Sequence, residues 1–159
     1  MKGRLNKFEK PILKFKKLNP NAIIPKYHTK GAAAFDLHAL LDKDVFLLLN
    51  ERMIICTGLA VSIPENYELL VSPRSGHSFN SGITILNSPG IIDQDYISEL
   101  KVVLFNTSHI LKPFRIRNGD RIAQVRIKQS IQAQIVEVEE FSKEDISKDR
   151  GGGFGSTGL

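Results

Sequence analysis

The chain of 159 residues has a single cysteine, Cys56, and so forms no internal disulfide. Cys56 sits in the apolar run Met53-Ile54-Ile55-Cys56, where a buried thiol is expected rather than a reactive one, and this fits a reducing cytoplasm. No apolar segment approaches the length of a membrane-spanning helix, and the basic residues near the N-terminus have no hydrophobic stretch behind them. A soluble, unexported protein without a membrane partner is expected. The four histidines, at positions 28, 38, 77 and 109, are scattered and lack the close His/Cys spacing of a zinc centre, so no tightly bound transition metal is expected. His38 and His77 have no spaced partner and read as ordinary polar positions. No internal repeat is visible.

What the chain does have is enough apolar material, 42% of residues, for one core in one domain. The formal net charge of +5 favours anionic partners such as nucleotides, nucleic acid or acidic surfaces without choosing among them. Residues 1–11 carry Lys2, Arg4, Lys7 and Lys10 with little apolar material and close on Pro11, as a mobile extension would. Nucleic-acid binding by this segment is the sharper alternative, but no aromatic stacking pattern accompanies the charges.

Strand signals dominate the body, residues 12–141. They run over Ile12–Leu18, Ala33–Leu40, Val45–Leu49, Arg52–Ile63, Tyr67–Ser72, Ile83–Leu86, Leu100–Phe105, Phe114–Arg117, Arg121–Ile127 and Ala133–Val138, with Asp, Asn, Gly or Pro in the loops between nearly all of them. Two hairpins are expected. One turns at the acidic stretch Asp93-Gln94-Asp95 after Gly90-Ile91-Ile92, and the other at Asn118-Gly119. One short helix is expected from Ser75, as N-cap, to Gly82. Many short strands with regular turns predict an all-β fold, a jelly-roll-like barrel or sandwich. The charged segment 142–149 and the glycine-rich end read as a flexible C-terminal arm, whose eight linker residues span up to roughly 25 Å when extended.

Several residues carry chemistry or ordinary structure with equal ease. An acidic turn is usually only a turn, because Asp tolerates unusual backbone angles and bonds its own main chain. Asp36, between Phe35 and Leu37 in a strand, needs a cationic partner or a metal-bound water, and Arg74 is the nominee. Pro73-Arg74-Ser75-Gly76 at a strand-to-helix junction suits phosphate, or is a simple capped turn with Arg74 paired to an acid. Gln124 interrupts the apolar strand Ile122-Ala123-Gln124-Val125, facing either a ligand or solvent. Gly153-Phe154-Gly155-Ser156-Thr157-Gly158 has the glycine spacing of a dinucleotide fingerprint but no following helix, and no Lys-Ser/Thr pair to make it a Walker loop. It offers backbone N–H groups, hydroxyls and a preceding Arg150 to a phosphate chain and Phe154 to a base, or it is a plain glycine tail.

Five stretches in order resemble the five motifs of the trimeric dUTPase family, the dUTP nucleotidohydrolases. They are Ala33-Ala34-Phe35-Asp36-Leu37, Pro73-Arg74-Ser75-Gly76, Gly90-Ile91-Ile92-Asp93 to Tyr96, Gly119-Asp120-Arg121-Ile122-Ala123-Gln124, and the terminal Gly-Phe-Gly-Ser-Thr-Gly. The resemblance implies a jelly-roll homotrimer with active sites shared between subunits, and hydrolysis of dUTP to dUMP and pyrophosphate with Mg2+ held by the triphosphate. It implies Asp93 as the base that activates water, and Asn87 with the backbone of Gly90, Ile91 and Ile92 as the uracil reader. Tyr96 would pack under deoxyribose and exclude a 2'-hydroxyl. Ser75, Gly76 and Gln124 would hold the phosphates, and Asp36 with Arg74 would brace the metal's water shell or the phosphate cradle. From the arm, Phe154 would stack on uracil, with Arg150, Ser156 and Thr157 at the terminal phosphate and Gly155 as a further substrate-binding residue.

Three departures stand out from the family pattern: Ile97-Ser98 replaces a residue and glycine after the tyrosine, Arg150 lies one residue nearer Phe154, and Ala34-Phe35 replaces Gly-Tyr. The rival readings are a dCTP deaminase of the same fold, against which Asp93-Gln94-Asp95-Tyr96 argues, and a non-catalytic nucleotide-binding regulator.

Overall fold

The computed structural model describes residues 10–109 and 112–152. Ten strands and two short helices follow one another as β1 (Lys14–Lys17), β2 (Phe35–His38), β3 (Val45–Leu47), β4 (Arg52–Ser62), β5 (Tyr67–Ser72), α1 (Ser75–Ser81), β6 (Ile83–Ile85), β7 (Gly90–Ile92), β8 (Glu99–Asn106), β9 (Phe114–Ile116), β10 (Arg121–Gln129) and α2 (Lys143–Ser147). One four-stranded sheet has the order β1-β4-β8-β6, another β2-β10-β5-β7, and β3 pairs with β9 alone. Every pairing is antiparallel.

Period-two alternation explains the core. In β8, Leu100, Val102 and Leu104 point inward while Lys101 faces out. These side chains meet Phe35, Leu37, Leu69, Val71 and Val125 of the other large sheet and Leu47 and Ile116 of the small one in a single apolar cluster. Each such side chain contributes about 1.5–3 kcal/mol by leaving water. The two buried polar residues are satisfied: Thr57 donates through Oγ1 to the Leu100 carbonyl at 2.7 Å, and Asn106 donates through Nδ2 to the Leu47 carbonyl at 3.0 Å.

Both expected hairpins are corrected. β7 pairs with β5, whereas β8 pairs with β4 and β6, so the acidic turn carries the chain from one sheet to the other. The Asn118-Gly119 turn forms, with Gly119 at φ +79° and the Asp120 N–H donating to the Arg117 carbonyl at 3.1 Å. Its flanking strands nonetheless diverge, β9 to β3 and β10 to β2 and β5. Turn chemistry fixes a local reversal; which strands then pair is decided by packing. The expected strand Ala133–Val138 is absent: residues 131–141 form no regular element and are exposed, Ile135 at 96%. An alternating segment becomes a strand only beside a partner edge.

The helical expectations also shift. Arg74, with extended backbone, takes the N-cap position of α1 in place of Ser75, and no side chain caps it, while Gly82 closes the helix in the left-handed conformation as expected. A second helix, α2, stands where only a charged linker was expected; it starts at a capping box in which Ser142 and Asp145 each bond the other's backbone N–H. Cys56 is half-buried, and burial first, then Glu99, pushes its thiol above the ordinary range, so it stays protonated. No described helix is long and apolar enough to cross a membrane.

Candidate functional site

The strand order β2-β10-β5-β7 sets four of the five sequence stretches side by side. Gln124 of β10 lies in register with Asp36 of β2 on one side and Ser72 of β5 on the other. Gln124 donates through Nε2 to the Pro73 carbonyl at 2.8 Å, which ties the β5-α1 junction to the middle strand. Between ligand and solvent, the half-buried side chain thus turns to its own chain.

Asp36 has the cationic partner expected of a carboxylate in an apolar strand. Arg74 donates from Nε to Oδ1 at 3.1 Å, Arg121 from Nη1 to Oδ2 at 3.2 Å, and His28 Nε2 lies 3.5 Å from Oδ2. Arg121 and His28 were not assigned a role from sequence. Arg121 is on this face because of a register irregularity: Arg121 pairs with His38 and Ala123 with Leu37, leaving Ile122 as an extra residue. In a regular strand Arg121 would share the buried face of Ala123 and Val125. The bulge turns it to the side of Gln124 and Asp36, and two adjacent buried residues, Ile122 and Ala123, mark the switch.

Arg74 is also held at Nη1, which donates to the Arg121 carbonyl at 3.2 Å and meets His77 Nε2 at 3.2 Å. His77, read from sequence as an ordinary polar position, therefore has a specific partner. Burial, then the Arg74 charge, pushes its imidazole below the ordinary histidine range. His38 is lowered too, mainly by burial. The Ser78 N–H donates to the Arg74 carbonyl at 3.0 Å, so the N–H groups of Ser75, Gly76 and His77 precede the first helical bond.

The acidic turn lies elsewhere on the same sheet. Ile92 pairs with Leu69 and Gly90 with Val71. Asp93 therefore extends past the Leu69 end of β5, and four strand positions separate it from the row of Ser72, roughly 13 Å at the rise of an extended strand. One chain thus brings Asp36, Arg74 and Gln124 together and leaves Asp93 apart. Asp93 is exposed beside a cleft of about 550 Å3 lined also by Asn66, Tyr67, Glu68 and Gln94. The Tyr96 N–H donates to the Asp93 carbonyl at 3.1 Å, and the Tyr96 hydroxyl donates to the Glu99 carbonyl at 2.8 Å. Gly90 is buried, and a Cβ there would come 3.3 Å from Asn87 Nδ2 and 3.5 Å from Val71 Cβ, so the Asn87 amide folds closely against the Gly90 backbone.

Among the described residues no group of three His, Cys, Asp or Glu side chains is placed to hold a metal. Asp36, with both oxygens already accepting from arginines, suits contact with a metal through water better than direct ligation. Arg150 is exposed. Phe154, Gly155, Ser156 and Thr157 lie outside the described residues, as do residues 1–9 of the basic extension.

Fold and site together define an all-β protein with a braced arginine pair suited to phosphate at one end of a sheet and an exposed carboxylate turn at the other. The family model for dUTPase matches residues 20–158. A deoxyuridine 5'-triphosphate nucleotidohydrolase of Nautilia profundicola is 52% identical over 147 residues, covering 92% of this chain and 98% of that protein. One from Helicobacter pylori is 41% identical, covering 92% and 97%. Among solved structures, the Staphylococcus bacteriophage 80alpha dUTPase with dUPNHPP aligns with TM-score 0.82 at 31% identity, over 93% of this chain and 99% of that one. The dUTPase from phage phi11 of S. aureus, in a mutant form described with a structural Mg(II) ion, aligns with TM-score 0.73 at 28% identity, over 83% and 99%. The chain belongs to the dUTPase family.

Proposed function

We propose that this protein hydrolyses dUTP to dUMP and pyrophosphate by attack of water on the α-phosphorus, which limits uracil incorporation into DNA and supplies dUMP for thymidylate synthesis. The observation that carries the reading is the sheet β2-β10-β5-β7, which arrays four of the family's motif stretches on adjacent strands. Family membership over residues 20–158 supports it independently.

The roles follow from charge and position. Asp93 orients and deprotonates the attacking water. Asn87 and the backbone of Gly90 to Ile92 read uracil, and Tyr96, tethered to the Glu99 carbonyl, packs under the sugar. Arg74, Ser75, Gly76 and Gln124 serve the phosphate chain, with Arg150, Ser156 and Thr157 at its far end, Phe154 over the base and Gly155 as a further substrate contact. Asp36 would face, through water, a Mg2+ held by the triphosphate, and that ion would neutralise part of the phosphate charge. Positioning and charge stabilisation do the rest.

The distance between Asp93 and the arginine pair supports a homotrimer in which one copy supplies Asp93 and another the phosphate cradle. The uncovered apolar side chains Ile131, Ile135, Val138 and Phe141 fit a C-terminal segment that leaves its own body for a neighbour. In this reading residues 142–159 are the closing arm, and the enzyme works in the cytoplasm.

One assay tests the function: incubation with dUTP, dCTP, dTTP or UTP plus Mg2+, measuring pyrophosphate and ammonia. Pyrophosphate from dUTP alone is expected. Ammonia from dCTP would establish a deaminase instead, and inert dUTP a binding protein.

A further inference from the structure

The Arg74 guanidinium has five N–H groups, and three are occupied inside the chain: Nε on Asp36, and Nη1 on the Arg121 carbonyl and on His77. Only Nη2 is left, with two N–H groups and no partner among the described residues. An arginine so held presents a fixed charge and a fixed pair of donors, so little rotamer entropy is lost when phosphate binds.

His77 is a side chain of this frame that family resemblance did not assign. Arginine only donates, so at 3.2 Å the His77 Nε2 must accept, which puts the ring proton on Nδ1. Nδ1 is buried and has no hydrogen-bond partner among the described residues. A leucine would fill similar volume against Phe114, whose ring centroid lies 5.4 Å from that of His77, without burying an unpaired donor. A polar ring that packs less favourably than an apolar one needs another reason to be there, and the bond to Arg74 supplies it.

We propose that His77 is a positioning residue for substrate binding: as a neutral imidazole accepting from Nη1, it locks the Arg74 guanidinium so that Nη2 is preset for the phosphate oxygens of the nucleotide. This rests on the reading that Arg74 contacts the triphosphate. The charged groups around the ring act in both directions. Burial, Arg74 and Arg121 favour the neutral form, Asp120 and Asp36 the charged one, and the balance lies below the ordinary histidine value. Protonation would set an N–H and a positive charge against Arg74. The KM for dUTP should therefore be flat through neutral pH and rise only as the pH falls below the ordinary histidine range.

The experiment uses the full-length enzyme with Mg2+ and dUTP in the variants His77→Leu, His77→Gln, Arg74→Ala and His77→Leu with Arg74→Ala. His77→Leu should raise KM about tenfold with a smaller change in kcat, the effect expected for one lost hydrogen bond to a charged group. His77→Gln, which keeps an acceptor near Nε2, should recover most of that loss and abolish the acid-side rise in KM. In the Arg74→Ala background His77→Leu should add nothing; a further tenfold loss there, or no rescue by glutamine, would overturn the proposal. If Arg74→Ala leaves KM unchanged, it is the reading of Arg74 as a phosphate contact that fails. In that event 15N NMR of the imidazole still decides the lock, since an Nδ1-protonated ring is required and a proton on Nε2 refutes it.

Discussion

Asp93 and Asp36 are both carboxylates within motif stretches, yet their surroundings give them opposite work. Asp36 has each oxygen committed to an arginine, which leaves it a brace, whereas Asp93 is exposed beside a cleft and, among the described residues, has no ion-pair partner. Asp93→Asn keeps the shape of the side chain and removes the carboxylate proposed as the base. Turnover of dUTP should fall about a hundredfold or more, while titration with a non-hydrolysable dUTP analogue should return nearly unchanged affinity. Turnover close to wild type would remove Asp93 from the chemistry. At this scale the sequence was informative wherever a residue was out of place: a carboxylate between Phe35 and Leu37 announced a cationic partner, and Arg74 is that partner. It was silent on Arg121 and His77, since nothing in a linear pattern tells which side of the sheet an arginine takes after a bulge or what a histidine meets across 3.2 Å.

Among the elements, α1 shows how one glycine fixes a junction of the site. Gly82 ends the helix at φ +62°, and its N–H bonds the Ser78 carbonyl. A Cβ there would lie 2.6 Å from the Ser108 Cα and 2.7 Å from the Ser108 nitrogen, which are backbone atoms that cannot swing aside. Gly82→Ala should therefore destabilise the fold by more than the roughly 1 kcal/mol of a left-handed conformation alone, read as a lower midpoint in urea denaturation with an unchanged slope. A midpoint equal to wild type would show that the β6-β8 edge yields to the methyl group. The hairpins mark the limit of reading elements from sequence. Asn118-Gly119 specified its turn, and the Arg117 N–H accepted by Asp120 Oδ2 at 2.8 Å reinforces it, but neither contact reaches the strands that β9 and β10 join.

For the whole molecule, the separation of Asp93 from the arginine frame and the exposure of residues 131–141 are the two features on which the proposed homotrimer rests. Among the described residues, the apolar cluster draws on none beyond Ile127. Removing residues 150–159 should lower dUTP turnover, by taking away the groups proposed to stack on the base and hold the terminal phosphate, and leave a folded assembly of unchanged subunit number on sedimentation. A monomer would make the arm part of the assembly rather than a cover for the site.

By itself the sequence determined the all-β class, most strand positions, with β5 falling on residues 67–72 as expected, the helix after Pro73, and the ordered residues that mark the family. These are local: alternation, turn chemistry and glycine conformation act over a few residues and survive in a linear reading. Only the tertiary structure decided that β7 and β8 belong to different sheets, that the extra residue at Ile122 delivers Arg121 to Asp36, that His77 meets Arg74, and that the expected strand at 133–138 finds no edge among the described residues. Each of these is a contact between residues distant in sequence, or the lack of one, and its energy exists only once the sheets have packed.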